Sequence, residues 1–425
     1  LSRGTIGQLS QLILHGTADD DTVLVDFSAG NPLPAGGLFV DASSGGGSDR
    51  LETLGTGVSS VVHTFDTSTS GTVTVDGRPI DHSGISTIHD AVTTTTRSFI
   101  VGDGDDVITL WDDGTSADGI SRVSLSAYSG TIDFAGPTSQ LSISTGNGSD
   151  TVTIGSLDSA MGTVSLLLNG QNDPDTLDAS GSHVPIKING SGGDDVLIGG
   201  SANDTLNGGS GADALTGGPG NDRLQGQGGS YDTLSGGPGD DTLDGGTGAD
   251  TLTSGGGIDT LVIRAGDGGS TLAGADTITD FTDGTDLIGL ESGDVGGLTI
   301  AQGTGTNASN TIISVTSSGE NLAILQNISA SNINVADFAN TSTSVITVTG
   351  DAGDDILLGG SGDDTISGNA GDDQLFGGIG DDTLIGGLGT DTFTGGAGTD
   401  AFRVEIFDSA PSVSAIDILK DFTTS

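Results

Sequence analysis

The 425-residue chain reads as an all-β protein whose dominant architecture is a parallel β-solenoid. Two observations predict that class. A nine-residue period rich in Gly and Asp runs through two blocks, and short Thr, Val and Ser runs with alternating apolar positions fill the remainder, with no stretch of helical period to compete. Gly supplies 77 of the 425 residues, more than double the usual share of about 7% yet far below the roughly one-third that a collagen repeat demands. Only Glu52, Glu291, Glu320 and Glu405 are glutamates, so the 58 acidic residues include 58 − 4 = 54 aspartates. Short-stemmed carboxylates beside glycine belong to tight turns rather than to a generally solubilising surface.

Residues 1–189 carry the runs TVLVDF, TVTVDG, VITLW, RVSLS, TIDFAG, LSIST, TVTIG and VSLLLNG. They are expected to form a parallel β-helix, with a β-sandwich as the alternative. Isolated half-repeats, GTADDDTVL, SGGGSDRLE, GDGDDVIT, GNGSDTVT and GQNDPDTLD, place Asp21, Asp49, Asp106, Asp150 and Asp175 in turn-like contexts. Their gaps of 28, 57, 44 and 25 residues fit coils of three short strands. Each such Asp either shapes its turn or binds a further cation; turn shaping is the commoner role.

The first block, 190–262, runs GSGGDDVLI, GGSANDTLN, GGSGADALT, GGPGNDRLQ, the ten-residue GQGGSYDTLS, GGPGDDTLD, GGTGADTLT and SGGGIDTLV. The sixth position falls on Asp195, Asp204, Asp213, Asp222, Asp232, Asp241, Asp250 and Asp259, and a leucine follows each by two, from Leu197 to Leu261. A second block, 350–403, repeats the scheme with Asp355, Asp364, Asp373, Asp382, Asp391 and Asp400, followed by Leu357, Ile366, Leu375, Leu384, Phe393 and Phe402. Glycines provide turns at positive φ, and the x-Leu-x half is a three-residue strand pointing one side chain inward. Two units then make one flattened coil, and stacking brings sixth-position carboxylates of units i and i+2 together along each edge. Like charges at that range repel by several kcal/mol at an intermediate dielectric, so a divalent ion is expected between them. The available donors are all oxygen: the Asp side chains and turn carbonyls such as those of Gly209, Gly211, Gly218, Gly220, Gly237, Gly239, Gly246, Gly248, Gly360, Gly362, Gly378, Gly380, Gly387 and Gly389. A flexible, multidentate oxygen set suits Ca²⁺ rather than Zn²⁺ or Cu²⁺.

These units resemble the RTX nonapeptide G-G-x-G-x-D-x-U-x of hemolysin-type calcium-binding proteins. The resemblance implies a parallel β-roll in each block. Pairing unit i with i+2 allows six sites in the first block and four in the second, about ten Ca²⁺ ions if each pair is filled. Ala202, in place of the fourth-position Gly, and the extra residue near Tyr231 depart from the pattern. The segment 263–345 begins GADTITDFTDGTDLIGL, in which Asp276, Ile278, Asp280, Phe281, Gly284, Asp286 and Ile288 resemble the β-rich cap that follows such repeats in serralysin-type proteins. Such a cap is needed because an open roll end exposes strand edges and the leucine stack. Residues 404–425 start the same pattern at AIDILKDFTTS, with Asp417, Ile418, Asp421 and Phe422 matching, and the natural chain is expected to extend beyond Ser425. The resemblance further implies a bacterial protein exported by type I secretion, without an N-terminal signal, to the cell surface or the medium. Residues 1–16 read as neither signal peptide nor anchor.

A formal charge of −48 disfavours nucleic acid and anionic membranes as partners and favours cations. No apolar run reaches the 18 or so residues of a membrane span. The absence of Cys excludes disulfides, thiolate metal sites and Cys nucleophiles. The histidines, His15, His63, His82, His89 and His183, lack zinc-protease spacing, and neither a G-x-S-x-G elbow nor a G-x-x-x-x-G-K loop occurs. Asp81 and His82 on a β-helix resemble the residue types of polysaccharide epimerases but lack aromatic and acidic neighbours. Trp111 and Tyr128 read as core or surface fillers rather than sugar platforms. No catalytic set is therefore expected. The chain reads as a calcium-dependent structural or adhesive segment whose partners are calcium and identical subunits or other cell-surface components. The alternative is the export and folding tail of a hydrolase whose catalytic domain lies elsewhere.

Overall fold

A computed structural model describes residues 12–15, 19–34, 36–42, 48–67, 70–115, 117–126, 128–161, 164–229, 231–290, 298–315, 318–333, 337–340, 347–350, 352–403 and 418–420. The described residues are strands and turns with three short 3₁₀ segments, and no helix among them is long and apolar enough to cross a membrane. The chain divides into two units, Leu1–Asp222 and Arg223–Ser425.

In the first unit most strands pair in parallel, as a solenoid requires and a β-sandwich does not. The alternative of a sandwich for 1–189 is thereby set aside. Coil length changes along the axis. Successive rungs are separated by 37 residues between Thr53 and Asp90, 44 between Asp106 and Asp150, 25 to Asp175, 20 to Asp195 and 18 to Asp213. The early coils are long because antiparallel strands are inserted in them: Ser70–Val75 leads back to Arg78–Ser83, which stacks in parallel on Leu38–Asp41, and Ile120–Leu125 leads back to Tyr128–Ala135, which stacks in parallel on Thr87–Val101. Uniform three-strand coils were expected from the Asp spacing, and the inserted strands correct that expectation. The 57-residue gap from Asp49 to Asp106 is not a stacking distance, since Arg50 pairs with Thr87 and Ser86 stands where the next Asp would be.

Alternation drives the packing. Strands such as Thr87–Val101 bury every second residue over most of their length, and inward columns form from Val152, Leu177, Leu197 and Leu215 and from Ile143, Leu168, Ile188 and Leu206. These side chains are essentially fully buried, each contributing about 1.5–3 kcal/mol of apolar transfer. The wider coils also enclose a polar cluster that the sequence did not signal. Arg97 ion-pairs with Asp90, which accepts from the Thr53 hydroxyl at 2.6 Å and lies 2.9 Å from His63 Nε2, and all four residues are buried. Burial holds the His63 imidazole well below its usual range and brings the Arg97 guanidinium down to about 9.

In the second unit the columns are Leu234, Leu252, Ile278 and Leu325 on one face and Leu224, Leu243, Leu261, Ile288 and Phe338 on the other. Asp276–Ile278 and Leu287–Leu290 thus continue the coil beyond the repeats. Leu298–Gln302, Thr311–Val315 and Asn321–Leu325 then fold as an antiparallel meander whose last strand runs parallel to Asp276–Ile278. The second block forms two facing sheets, with Leu357, Leu375 and Phe393 opposite Val348, Ile366, Leu384 and Phe402. Ile418–Leu419 pairs with Thr392–Ala397 as Asp276–Ile278 pairs with Thr251–Gly256. Asp417, Asp421 and Phe422 lie outside the described residues.

Candidate metal centre

The nonapeptide places its parts in a fixed order around each turn. The sixth-position Asp ends the turn just before the strand, its side chain folded back under the coil rather than out to solvent. Asp195, Asp204, Asp213 and Asp222 are 1–3% exposed, as are Asp232, Asp241, Asp250, Asp355, Asp364, Asp373 and Asp382, while Asp259 and Asp391 are fully buried. Asp400, in the last unit, is half-buried.

The structure brings these carboxylates into ladders. In the first unit Oδ1 of Asp213 accepts from the backbone N–H of Asp195 at 2.9 Å, and Oδ1 of Asp222 from Asp204 at 2.8 Å. In the second unit the same bond joins Asp232 to Asp250, Asp241 to Asp259, Asp355 to Asp373, Asp373 to Asp391, Asp364 to Asp382 and Asp382 to Asp400, at 2.7–3.1 Å. Half of each of these carboxylates is therefore held by the neighbouring coil's backbone. Oδ2 of Asp195, Asp250, Asp259, Asp373 and Asp382 is buried without a hydrogen-bond partner. A buried, unsatisfied carboxylate oxygen is strongly unfavourable in a neutral interior and fits an ion-binding role.

The seat beneath that oxygen is the first Gly of the unit. A Cβ on Gly190, Gly208, Gly350, Gly377 or Gly395 would collide with Oδ2 of the Asp five residues later. The second- and fourth-position glycines supply the curvature. Thirteen of the fourteen turn glycines named above have φ between 87° and 152°. Their carbonyls stack: Gly380 lies directly over the oxygen of Gly362, Gly387 over that of Asn369, and Gly389 over that of Gly371. Ala202 does not interrupt the stack, since its carbonyl lies against Gly220. No group of three or more acidic or His side chains converges among the described residues, so any ion here must draw on these carbonyls as well as the carboxylates. The donors are hard oxygens in flexible turns, which is the chemistry of Ca²⁺.

Burial is the larger cause of electrostatic tension, ahead of the like-charge repulsion that the spacing suggested. It pushes the carboxyl of Asp222, Asp250 and Asp373 up to about 6, with Asp204 adding to Asp222, Asp232 to Asp250 and Asp391 to Asp373. Asp195, Asp204, Asp259 and Asp382 rise for the same first reason.

Three further parts were not read from the sequence. Asp276 and Asp286 complete the ladder beyond the repeats, accepting from the N–H groups of Asp250 at 3.0 Å and Asp259 at 3.2 Å. Burial pushes Asp276 up to about 8. The fifth position forms a second ladder in the opposite sense: Oδ1 of Asp194 accepts from Ala212 N–H, Asp240 from Ile258, Asp354 from Asp372 and Asp381 from Thr399, at 2.8–2.9 Å. A legible signal existed for it. In the second block Asp fills the fifth position of the four units that are followed by another 18 residues later, and the last two carry Thr390 and Thr399; in the first block Asp194, Asn203, Asn221 and Asp240 keep the pattern while Ala212 and Tyr231 break it. Finally, Arg122 engages Asp133 and Arg264 engages Asp244 in two-pronged pairs, and Asp244 lies near enough to the ladder to help raise the carboxyls of Asp250 and Asp276.

The sugar-site residues fall elsewhere. His82 is buried in the first unit with its ring edge-on to Tyr128, Asp81 accepts from Thr72 at 2.8 Å, and Tyr128 is buried with its hydroxyl on the Ile85 carbonyl.

Residues 189–224, 227–261, 349–384 and 367–402 match the RTX calcium-binding nonapeptide repeat, in four copies of which the last two overlap. No curated protein sequence matches the chain. These repeats are calcium-binding elements.

Proposed function

We infer that the chain is an extracellular calcium-binding structural or adhesive segment, part of a bacterial surface layer, fibre or adhesin, that folds when it meets calcium after export. The observation that carries this reading is the ladder of buried carboxylates, in which Oδ2 of Asp195, Asp250, Asp259, Asp373 and Asp382 is buried without a hydrogen-bond partner. Without metal, a chain of charge −48 with 4% aromatic residues buries too little apolar surface to offset backbone ordering against its own charge. Filling the i, i+2 pairs with about ten ions would offset roughly twenty of those charges and convert binding energy into folding energy. Calcium is scarce in the bacterial cytoplasm and abundant outside it, so folding follows export. The strands after each block close the open roll end, as the caps of serralysin-type proteins do. The chain has no catalytic role of its own in this reading.

Circular dichroism during calcium titration, followed by chelation, tests the folding claim: β signal grows with calcium and is lost with chelator. Electron microscopy of the calcium-loaded sample tests the structural role by looking for end-to-end association. Sequence upstream of Leu1 bearing a metal-protease or esterase motif would move the reading to the export tail of an enzyme.

A further inference from the structure

We propose that calcium binding extends beyond the recognisable repeats into the β-helix, at the turns 146–150 and 170–175. The inference rests on the calcium reading of the repeats but concerns residues outside every matched segment. Only fragments of the nonapeptide are visible there, as Gly146-Asn147-Gly148-Ser149-Asp150 and Gly170-Gln171-Asn172-Asp173-Pro174-Asp175.

The geometry is nonetheless that of the repeats. Oδ1 of Asp150 accepts from Asp106 N–H at 2.7 Å, Oδ1 of Asp175 from Asp150 N–H at 2.8 Å, and Oδ1 of Asp195 from Asp175 N–H at 2.8 Å, so one ladder runs from the β-helix into the first block. Asp150 and Asp175 are each 2% exposed, and Oδ2 of each is buried without a hydrogen-bond partner. The nearby Thr145 hydroxyl donates instead to the Gly170 carbonyl at 2.9 Å. Gly170 forms the same seat as the first repeat Gly, a Cβ there colliding with Asp175 Oδ2. Carbonyls stack as well: Gly146 lies over the oxygen of Gly102, Gly148 over that of Gly104 and Gly193 over that of Asp173. Gln171 and Asp173 hold φ of 84° and 75°, the conformation that glycine supplies at the second and fourth positions of a repeat. Two buried, half-satisfied carboxylates beside stacked carbonyls make an all-oxygen site of the kind Ca²⁺ takes.

The test uses the full chain with calcium as the probe. The Asp150→Asn/Asp175→Asn double variant keeps both Oδ1 acceptors while removing two charges. Bound calcium is counted by equilibrium dialysis at a concentration that just saturates the wild type. Trp111, the only Trp, lies on Val107–Asp112, which pairs with Thr151–Ile154 immediately after Asp150, so its fluorescence reports this region. The expected result is a loss of about two ions and at least a fivefold rise in the calcium midpoint of the Trp111 signal. Asp373→Asn, in the second block, lowers the count but leaves that midpoint in place. If the double variant does not reach wild-type circular dichroism in calcium, the two single variants are read instead, each losing about one ion. An unchanged count and midpoint would overturn the inference while leaving the repeat sites intact. A wild type that binds no calcium would overturn the reading beneath it.

Discussion

Asp276→Asn reverses the usual consequence of removing a ladder carboxylate, and its size can be worked from the structure. Asp276 is 4% exposed and accepts from the Asp250 N–H, a bond that an Asn carbonyl preserves. Burial pushes its carboxyl up to about 8 from 3.8. At pH 7 without calcium the folded state must keep that group protonated, about three pH units above its ordinary value, which corresponds to about 4 kcal/mol. The neutral Asn removes that penalty. A folded pKa above the unfolded one contributes stability that is complete below about pH 4 and lost as pH rises through 8, so the variant's advantage is absent at pH 4, about 4 kcal/mol at pH 7 and full only above pH 8. In saturating calcium the sign turns over, because the wild-type carboxylate is then neutralised by an ion that Asn holds less well. Urea unfolding followed by circular dichroism at pH 4 and pH 7, in calcium-saturated buffer and in calcium-free buffer with trimethylamine N-oxide added to populate the folded state, gives the four stabilities. A variant less stable than wild type at pH 7 in calcium-free buffer, or an advantage that does not change with pH, would refute the reasoning.

The raised carboxyls of Asp175, Asp222, Asp250 and Asp373, pushed to about 7 for the first and about 6 for the others, make calcium and protons competitors. Calcium affinity is expected to climb between pH 4 and pH 8 with protons released on binding, and calorimetry in buffers of different ionisation heat measures the release. Gly377→Ala puts a methyl where Asp382 Oδ2 sits; dialysis should find at least one ion fewer, with the Gly256→Ala change, where nothing lies within 4 Å, as a neutral control. Leu243→Ala empties a fully buried place between Leu224 and Leu261 and should lower stability by about 2–5 kcal/mol in calcium, read from thermal or urea melts. Arg97→Leu strands Asp90 beside His63 in the β-helix interior; a loss of about 3–5 kcal/mol is expected, and calcium stoichiometry should not change.

The repeats were legible because the solenoid repeats one environment: the residue two after each Asp, such as Leu206 or Leu375, has a single place to go, the inward column. The β-helix was legible only in class. Its coil lengths depend on where antiparallel strands are inserted, and a run such as TVTVDG does not say whether it continues a coil or runs back against it, as Ser70–Val75 does. The ladders beyond the repeats were legible only as isolated turn aspartates such as Asp150 and Asp175, open between turn shaping and cation binding, for a related reason. Asp150, Asp175 and Asp276 stack by structural register at intervals of 25, 20 and 26 residues, which no fixed period detects. Arg97 gave no local sign of burial, because the partners that make it tolerable, Asp90 and His63, stand 7 and 34 residues away.

Small-angle scattering of the whole chain, first in chelator and then with calcium restored, tests calcium-coupled folding most directly. An expanded 425-residue chain has a radius of gyration near 75 Å, as an order of magnitude. The account predicts a value of that order in chelator, a collapse to well under half of it when calcium is added, and return on renewed chelation. The same compact radius with and without calcium would contradict it.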